Sequence, residues 1–370
     1  MTERLKVGVV GCGVIAQVMH LPHLVELQDR YEIVALCDIS ELTARACAER
    51  YGVDKVFTSW PDLIDQKLDV VMVLTSGSHS PIAIAAANAG SNVFVEKPLC
   101  LSLDEGEELY RAVRKAGVRF MVGTMKRYDP AYERLLEILP LDDLRLVSLI
   151  TLESPFQPYV QAYPLTPMTP PAPDVLAALK ADDAARLLAA LPEGDDEARW
   201  CYRWLLLDSL VHELNMLRGA LGEPDIVHLA RLGRQVCEIS LGFGPTEAHL
   251  SWVDLPGIAH YQQKVAFYSP DKRVTLTLPS PYLRAMPSLL TIEGGEPGSP
   301  HSWRTDETVS YEEAFKRELI EFASAIRDGR DPRTDIVDGL HDIALCHAIA
   351  TSHITGRPVI MPSALPSWVN

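Results

Sequence analysis

A glycine-rich turn near the start of the chain constrains the fold more than any other feature of the sequence. Residues 6–10 form a β-branched run, and Gly-Cys-Gly-Val-Ile-Ala follows directly at positions 11–16. Gly11 permits a tight turn, Gly13 lets the backbone approach a pyrophosphate, and the small Ala16 allows close helix–strand packing. The helix that begins there offers N–H groups to phosphate. The pattern predicts a dinucleotide-binding unit; the alternative is a tight turn without a ligand.

The first 125 residues alternate apolar or β-branched runs with helical segments. The predicted strands lie at 6–10, 70–74, 92–95 and 119–122, and the predicted helices at 43–51, 82–89 and 103–116. Such alternation implies a parallel sheet with right-handed crossovers. We therefore expect the α/β class, with a doubly wound Rossmann domain over residues 1–125.

The texture of the sequence changes after about residue 129. Proline is dense from 155 to 173, and a short helical stretch follows at 174–191. Six predicted strands then succeed one another, at 226–232, 235–242, 246–253, 261–268, 273–278 and 288–293. Strands without intervening helices favour an antiparallel sheet. We expect residues 126–370 to form an α+β domain with a large, open, mostly antiparallel sheet, a proline-rich insertion at about 155–200, and final helices at 312–327 and 337–353.

Composition excludes several classes of protein. The chain has 370 residues, enough for about two domains. Its 34 Lys and Arg against 50 Asp and Glu give a net charge of −16, which disfavours nucleic-acid or membrane binding as the main role. Seven cysteines, an odd number without a Cys-x-x-Cys pair, favour a reducing compartment over a disulfide framework. With no signal-like segment at the start and no apolar run of about 18 residues, the sequence predicts a cytoplasmic location.

An acid stands where the second strand of a dinucleotide-binding unit should end. Asp38 closes the run Val-Ala-Leu-Cys-Asp. A carboxylate there can accept hydrogen bonds from both ribose hydroxyls and would repel a 2′-phosphate. This favours NAD over NADP as cofactor, although NADP stays open. The alternative is that Asp38 caps the helix predicted at 43–51.

Two further groups carry chemistry. Glu96-Lys97-Pro98 follows a predicted strand, at the edge where open α/β sheets bind ligands. Lys97 could donate to a substrate oxygen, or form a surface ion pair with Glu96. Asp208 and His212 share one face if their segment is helical. The imidazole suits proton removal from an alcohol as hydride departs; the alternative is an ordinary helix-surface pair.

These motifs together resemble the Gfo/Idh/MocA family of sugar and cyclitol dehydrogenases, named for glucose–fructose oxidoreductase and inositol dehydrogenase. The resemblance covers most of the chain. Besides Gly11 to Ala16 and the three residues at 96–98, it rests on Thr75-Ser76-Gly77-Ser78-His79, Lys126-Arg127-Tyr128-Asp129-Pro130, Gly329-Arg330 and Gly356-Arg357-Pro358.

The resemblance implies roles for individual residues. His212 would be the general acid/base, Lys97 would polarise the reacting oxygen, and Asp208 would orient the substrate or His212. The Lys97–Pro98 peptide bond, often cis in relatives, would aim Lys97 into the cleft. The residues implied at the cofactor are Gly11, Gly13, Val14, Ile15, Asp38, Thr75, Ser76, His79, Glu96 and Lys97. Those expected at the substrate are Lys126, Arg127, Tyr159 and Tyr163.

The sequence departs from the family pattern in two places. The motif Asp-x-Gly-x-His-x-x-Asp has Leu210 for its glycine and Asn215 for its last acid. The proline-rich insertion is the second departure. Tyr159 and Tyr163 within it could close over a sugar face, or the insertion could be a surface elaboration or an oligomer contact.

The resulting prediction is an NAD(P)-dependent oxidoreductase. It would transfer hydride between nicotinamide and a hydroxyl-bearing carbon of a sugar, sugar derivative or cyclitol, without a metal. The alternatives are a redox-assisted glycosidase or lyase, in which NADH does not accumulate, and a non-catalytic dinucleotide-binding regulator. Relatives commonly assemble through the sheet of the second domain, so a homodimer or homotetramer is expected.

Overall fold

The first sheet of the protein is parallel and flanked by helices, as the sequence predicts. In the computed structural model, which describes residues 3–139 and 142–369, its strands are β1 (Leu5–Val10), β2 (Tyr31–Cys37), β3 (Lys55–Phe57), β4 (Val70–Val73), β5 (Asn92–Glu96) and β6 (Phe120–Gly123). Among those residues the strand order is β3-β2-β1-β4-β5-β6. The order reverses at β1, whose neighbours are β2 and β4, so the carboxyl ends of these strands border a ligand crevice.

The helices of this part begin and end at residues that suit those positions. They are α1 (Leu21–Glu26), α2 (Glu41–Tyr51), α3 (Trp60–Ile64), α4 (Ser80–Asn88) and α5 (Leu103–Ala116), and a wide π-helical segment, Ala16–His20, runs into α1. Ser40 and Ser102 cap α2 and α5 by accepting hydrogen bonds from backbone N–H groups three residues on. Gly52 and Gly117 end the same helices in the left-handed conformation. The bounds of α5 match the prediction for that segment.

The second sheet is mostly antiparallel, which confirms the prediction from consecutive strands. A short 3₁₀ turn, Met125–Tyr128, and α6 (Pro130–Ile138) lead into it. Its strands are β7 (Leu146–Glu153), β8 (Ile226–Arg231), β9 (Val236–Phe243), β10 (Thr246–Asp254), β11 (Gln262–Tyr268), β12 (Lys272–Leu278), β13 (Leu289–Gly295), β14 (Ser302–Thr308) and β15 (Val359–Ile360). In the described part of the chain the order is β14-β13-β12-β11-β7-β10-β9-β8-β15, and only β7 and β10 pair in parallel. The strand at 302–308 was not predicted.

The segment between β7 and β8 contains the proline-rich insertion. Its helices are α7 (Gln157–Val160), α8 (Pro173–Ala190), α9 (Asp196–Trp200), a π-helical segment Cys201–Leu210, and α10 (Val211–Leu221). The helix predicted at 174–191 is therefore confirmed. Residues 161–172 have no helix or strand, because proline lacks the N–H group that either structure requires.

Of the last two long helices, the first returns to the first sheet and the second packs mainly against β8 of the second sheet. They are α11 (Ala314–Asp328) and α12 (Ile336–Thr355). Leu319 and Phe322 of α11 share a buried cluster with Val7 and Val9 of β1, and the Tyr31 hydroxyl donates a 2.6 Å hydrogen bond to the Leu319 carbonyl. The apolar face of α11 predicts a buried helix but not the sheet it covers. The domain boundary at 125 stays a prediction, and the hydrophobic core crosses it.

Candidate active site

The glycine turn takes the shape that its sequence predicts. Gly11 has a φ of 102°, and a Cβ there would lie 2.7 Å from backbone atoms of Leu74. Only glycine fits this position without displacing the neighbouring strand. At Gly13 a Cβ would meet no atom within 4 Å, so the turn is open on its cavity side. Val14 and Ile15 line the same cavity. Open space and free backbone at this point fit the pyrophosphate of a dinucleotide.

Asp38 lies directly beyond β2, where the sequence places it. One carboxylate oxygen accepts a 2.8 Å hydrogen bond from the Cys12 N–H, and the other accepts a 2.9 Å bond from the Ser40 N–H. The carboxylate therefore holds the glycine turn against the end of β2. Because each oxygen can accept a second bond, these contacts leave acceptor capacity for ribose hydroxyls.

A cavity of about 830 Å³ joins the glycine turn to the second sheet. From the first sheet it is lined by Gly13, Val14, Ile15, Thr75, Ser76, His79, Glu96 and Lys97, and from the second part of the chain by residues that include Lys126, Asp208 and His212. The volume is in the range of pockets that hold small molecules. The structure thus brings most of the residues named from sequence to one cavity.

Lys97 and Asp208 form an ion pair inside this cavity. The Lys97 ammonium donates to the Asp208 carboxylate over 2.9 Å and to the Asp208 carbonyl over 2.6 Å. The Lys97–Pro98 peptide bond is cis. The ammonium is mostly buried, so a charge beside it is screened little by water. It can stabilise negative charge on a bound oxygen.

His212 lines the same cavity, and its side chain is partly buried. Burial and the positive charges of Lys97 and Lys126 hold the pKa of this imidazole well below its usual value of 6.5. The ring is therefore neutral near pH 7 and can accept a proton. Its Nδ1 atom has no hydrogen-bond partner among the described residues.

Asp208 contacts Lys97, and no hydrogen bond to His212 is found within residues 3–139 and 142–369. The expectation that spacing would pair the two assumes a regular α-helix. The helix is π-type over Cys201–Leu210 and becomes α-helical only at Val211. A wider turn rotates Asp208 relative to His212. Asp208 therefore positions the lysine rather than the imidazole.

The residues expected at the cofactor after β4 and β5 are tied together by buried contacts. The ring nitrogens of His79 each lie 2.7 Å from a carbonyl oxygen, one of Thr75 and one of Pro98. Burial lowers the pKa of His79 from its usual 6.5, and the two carbonyl contacts oppose that shift. Glu96 lies 2.6 Å from the buried His20. These contacts fix the two loops on which Ser76 and Lys97 stand.

Comparison with known proteins supports this geometry. A family model described as "Oxidoreductase family, NAD-binding Rossmann fold", GFO_IDH_MocA, matches residues 5–124. Over the whole length, the scyllo-inositol 2-dehydrogenase (NAD(+)) of Bacillus subtilis is 24% identical and covers 97% of both chains. Residues 5–124 thus match the NAD-binding Rossmann domain of the Gfo/Idh/MocA oxidoreductases, and beyond that domain the chain is similar to the scyllo-inositol dehydrogenase at low identity.

Two further comparisons show how far this similarity extends. The inositol 2-dehydrogenase of Salmonella typhimurium is 36% identical over 139 residues, which span 36% of this chain and only 41% of that enzyme. A crystal structure of a putative NADPH-dependent oxidoreductase from Desulfitobacterium hafniense aligns with a TM-score of 0.76 at 17% identity, covering 98% of this chain and 99% of that one. At that identity the likeness concerns the fold alone.

The sequence analysis did not identify a buried carboxylate beside the histidine. Glu213 follows His212 and lies 3.3 Å from the Lys126 ammonium. Thr151 and Gln263 donate to the same carboxylate oxygen, while the other oxygen has no partner in the described part of the protein. Burial lowers the pKa of Lys126, and Glu213 opposes that shift. The sequence showed only that an acid follows His212 directly. The partners of that acid could not be read from it, because they lie on two strands distant in the chain.

The second sheet supplies a wall of the cavity that the family motifs do not mark. It includes Glu153, Trp252, Asp254 and Tyr261. Burial raises the pKa of Glu153 above its usual 4.5. These positions carry no local motif, because what brings them together is the pairing of β7 with β10 and β11.

The other residues expected at the substrate divide into two groups. Lys126 and Tyr159 line the cavity. Arg127 points away from it and donates to Asn215 and Asp338. Tyr163 also lies outside the cavity lining: its hydroxyl donates to the Tyr282 carbonyl over 2.8 Å and accepts from a backbone N–H over 2.9 Å. Of the two tyrosines of the insertion that were expected to close over a substrate, only Tyr159 therefore lines the cavity.

Within the described residues, no cluster of three or more histidine, cysteine or acidic side chains has the arrangement of a metal site. In the same part of the chain, no helix combines the length and hydropathy required to cross a membrane.

Proposed function

We propose that this protein is an NAD-dependent dehydrogenase that oxidises a hydroxyl-bearing carbon of a sugar, sugar derivative or cyclitol, or reduces the corresponding ketone. The observation that carries the proposal is the single cavity that holds both the glycine turn and the group Lys97, Asp208 and His212. The similarity to bacterial inositol dehydrogenases supports the substrate class.

The geometry supports a division of labour among three side chains. NAD, when bound, supplies the hydride acceptor. The neutral imidazole of His212 removes the hydroxyl proton, since its depressed pKa keeps it unprotonated. The Lys97 ammonium stabilises the negative charge that develops on the same oxygen. Asp208 holds that ammonium through the 2.9 Å ion pair. Because the Lys97 ammonium stabilises the negative charge on the reacting oxygen, the proposed mechanism requires no metal ion.

The cavity wall formed by the second sheet supports a polyhydroxylated ligand as the substrate. It combines aromatic faces, such as those of Trp252 and Tyr159, with the carboxylates of Glu153 and Asp254. Aromatic rings pack against the apolar face of a sugar ring, and carboxylates accept hydrogen bonds from its hydroxyl groups.

An assay of reduced cofactor tests the proposal directly. The protein is incubated with NAD⁺ and a panel of cyclitols and sugars, and the absorbance of NADH is followed. Net accumulation of NADH with a polyol is expected. Turnover of a glycoside without accumulation would instead identify a redox-assisted glycosidase or lyase. Binding of NADH without turnover of any panel member, by a chain with the group intact, would favour a regulator.

Self-association is part of the same proposal. The second sheet carries exposed apolar side chains on several strands, among them Leu229, Val236 and Trp303. An antiparallel sheet with such a face is stabilised when a second copy covers it. Sedimentation of the wild-type chain should give a dimer or tetramer; a monomer at micromolar concentration would contradict this.

A further inference from the structure

The proline-rich insertion crosses the dinucleotide crevice outside the substrate cavity. We call residues 163–190 the strap. It begins next to the glycine-turn helix: the Thr166 N–H and hydroxyl both donate to the Gln17 side-chain oxygen, over 2.8 and 2.9 Å. The Thr169 N–H donates to the Thr43 hydroxyl over 3.1 Å. The first end of the strap is therefore fixed to α2, the helix that follows Asp38.

The other end of the strap is fixed on the opposite wall of the crevice. Asp183 approaches the loop after β4, where a Cβ on Gly77 would lie 3.8 Å from its carboxylate. Arg186 donates to Glu105 of α5 over 2.6 Å. Glu105 also accepts from the Ser78 hydroxyl over 2.9 Å. The second attachment thus holds the loop after β4.

Between these attachments the strap contacts almost nothing. Every residue from 172 to 182 is exposed, although this stretch contains the first half of an 18-residue helix. Val175, Leu176 and Leu179 are among its exposed apolar side chains. A helix of this kind normally gains its stability from an apolar face packed on a partner. The unsupported stretch lies between the wall that carries Asp38 and the wall that carries Gly77.

That position identifies the partner. In a doubly wound sheet the dinucleotide lies across the carboxyl ends of the strands, with a ribose at the acid after the second strand. The adenosine half therefore lies between the end of β2 and the loop after β4, beneath the span of the strap. We propose that the strap forms the outer wall of the adenosine site and closes on the adenosine half of the cofactor. The proposal rests on the dinucleotide site and is independent of which substrate is oxidised.

The sequence of the strap suits this role. Pro164, Pro167, Pro170 and Pro171 restrict the unfolded chain, so less backbone freedom is lost when the segment is ordered over a ligand. Proline also leaves fewer N–H groups that would require partners in a segment without helix or strand. A strap fixed at both ends slows release of what lies beneath it without contacting the reacting atoms.

Hydrogen exchange of the full-length, nucleotide-free protein tests the assignment with two halves of the cofactor. ADP-ribose carries the adenosine half, and nicotinamide mononucleotide carries the other. ADP-ribose at saturation should slow amide exchange in residues 172–182 at least tenfold, together with the glycine turn, whereas nicotinamide mononucleotide should leave the strap unchanged. Protection of the glycine turn alone, equal protection of the strap by both halves, or protection of neither region would each overturn the proposal.

A release experiment tests the attachment at the second end. Arg186→Gln removes the contact with Glu105, together with the exposed pair with Asp182 on the same helix, and neither partner lines the cavity. NADH release, followed by fluorescence after displacement with excess NAD⁺, should be roughly threefold faster, the effect of a partly exposed ion pair. Arg145→Gln, which removes the exposed pair with Asp143 at the start of β7, is the matched control and should release NADH at the wild-type rate. An unchanged rate in Arg186→Gln would contradict the proposal. Failure of the polyol assay with these results intact would refute only the proposed function.

Discussion

His212 is a partly buried imidazole whose surroundings disfavour its charged form. Two lysine ammonium groups, Lys97 and Lys126, act on it together with burial. Its protonation state, more than its position, makes it a proton acceptor near pH 7. His212→Ala should lower kcat for alcohol oxidation by about 10²–10⁴-fold, while the dissociation constant of NADH changes little. His249→Ala, at an exposed histidine of β10, is the control. Near wild-type kcat in His212→Ala would show that another group moves the proton.

The same surroundings set the pH dependence at this residue. Since the pKa of His212 lies well below 6.5, the acidic limb of kcat/KM for oxidation should fall below that value, and activity should stay level through neutrality. Lys126→Gln removes a positive charge that lowers this pKa. The pKa of His212 then rises, and the acidic limb should move to higher pH. A limb that stays in place, measured over pH 4.5–8, would assign it to a different group.

At the scale of elements, Asp38 joins β2 to the glycine turn that follows β1. Its bond to the Cys12 N–H shapes the turn, and its oxygens keep the acceptor capacity that the proposed contact with a ribose requires. Asp38→Ala should weaken NADH binding roughly tenfold or more, the effect of one lost hydrogen bond to a charged group. Asp38→Ala should also lower the ratio of the NADPH to the NADH dissociation constant, because the repulsion of a 2′-phosphate is removed. Asp38→Asn separates the two effects, since it keeps an acceptor without the charge. Equal or tighter NADPH binding by the wild-type protein would contradict the proposed NAD preference.

At the scale of the whole molecule, α11 places a carboxyl group in the core it shares with the first sheet. Glu318 is fully buried, and neither of its carboxylate oxygens has a partner in the described ranges. Burial, assisted by Glu96, raises its pKa well above 4.5. Because the unfolded chain ionises at lower pH than the folded one, the free energy of unfolding falls as the pH rises from about 4.5 towards the folded pKa.

Urea unfolding of Glu318→Gln measures this cost. The variant carries no ionisable group there, so its stability relative to wild type should grow with pH, by up to about 1.4 kcal/mol per pH unit across that window. At pH 4.5 or below the two proteins should be nearly equal. Glu49→Gln, at an exposed position of α2, should show no such trend. A constant difference between Glu318→Gln and wild type at all pH values would show that Glu318 does not titrate in this range.

The sequence by itself determined what depends on neighbouring residues. The strand–turn–helix at Gly11, the helices bounded by serine caps and glycines, and the consecutive strands of the second sheet all follow from local preferences, and the structure has them. The same holds for the resemblance to the Gfo/Idh/MocA family, because its motifs are short and contiguous. Asp38, Lys97 and His212 were proposed as site residues in this way, and their roles stay predictions.

Tertiary structure alone decided the remaining features, since each depends on residues distant in the chain. The parallel pairing of β7 with β10 builds one wall of the cavity, and no local pattern encodes which strands become neighbours. The π-helical turn directs Asp208 to Lys97 instead of His212, because spacing arguments assume a regular helix. Glu213 gains its role from Lys126, Thr151 and Gln263. The proline-rich sequence indicated an irregular segment, but only its two attachments, at Thr43 and Glu105, show that it spans the crevice.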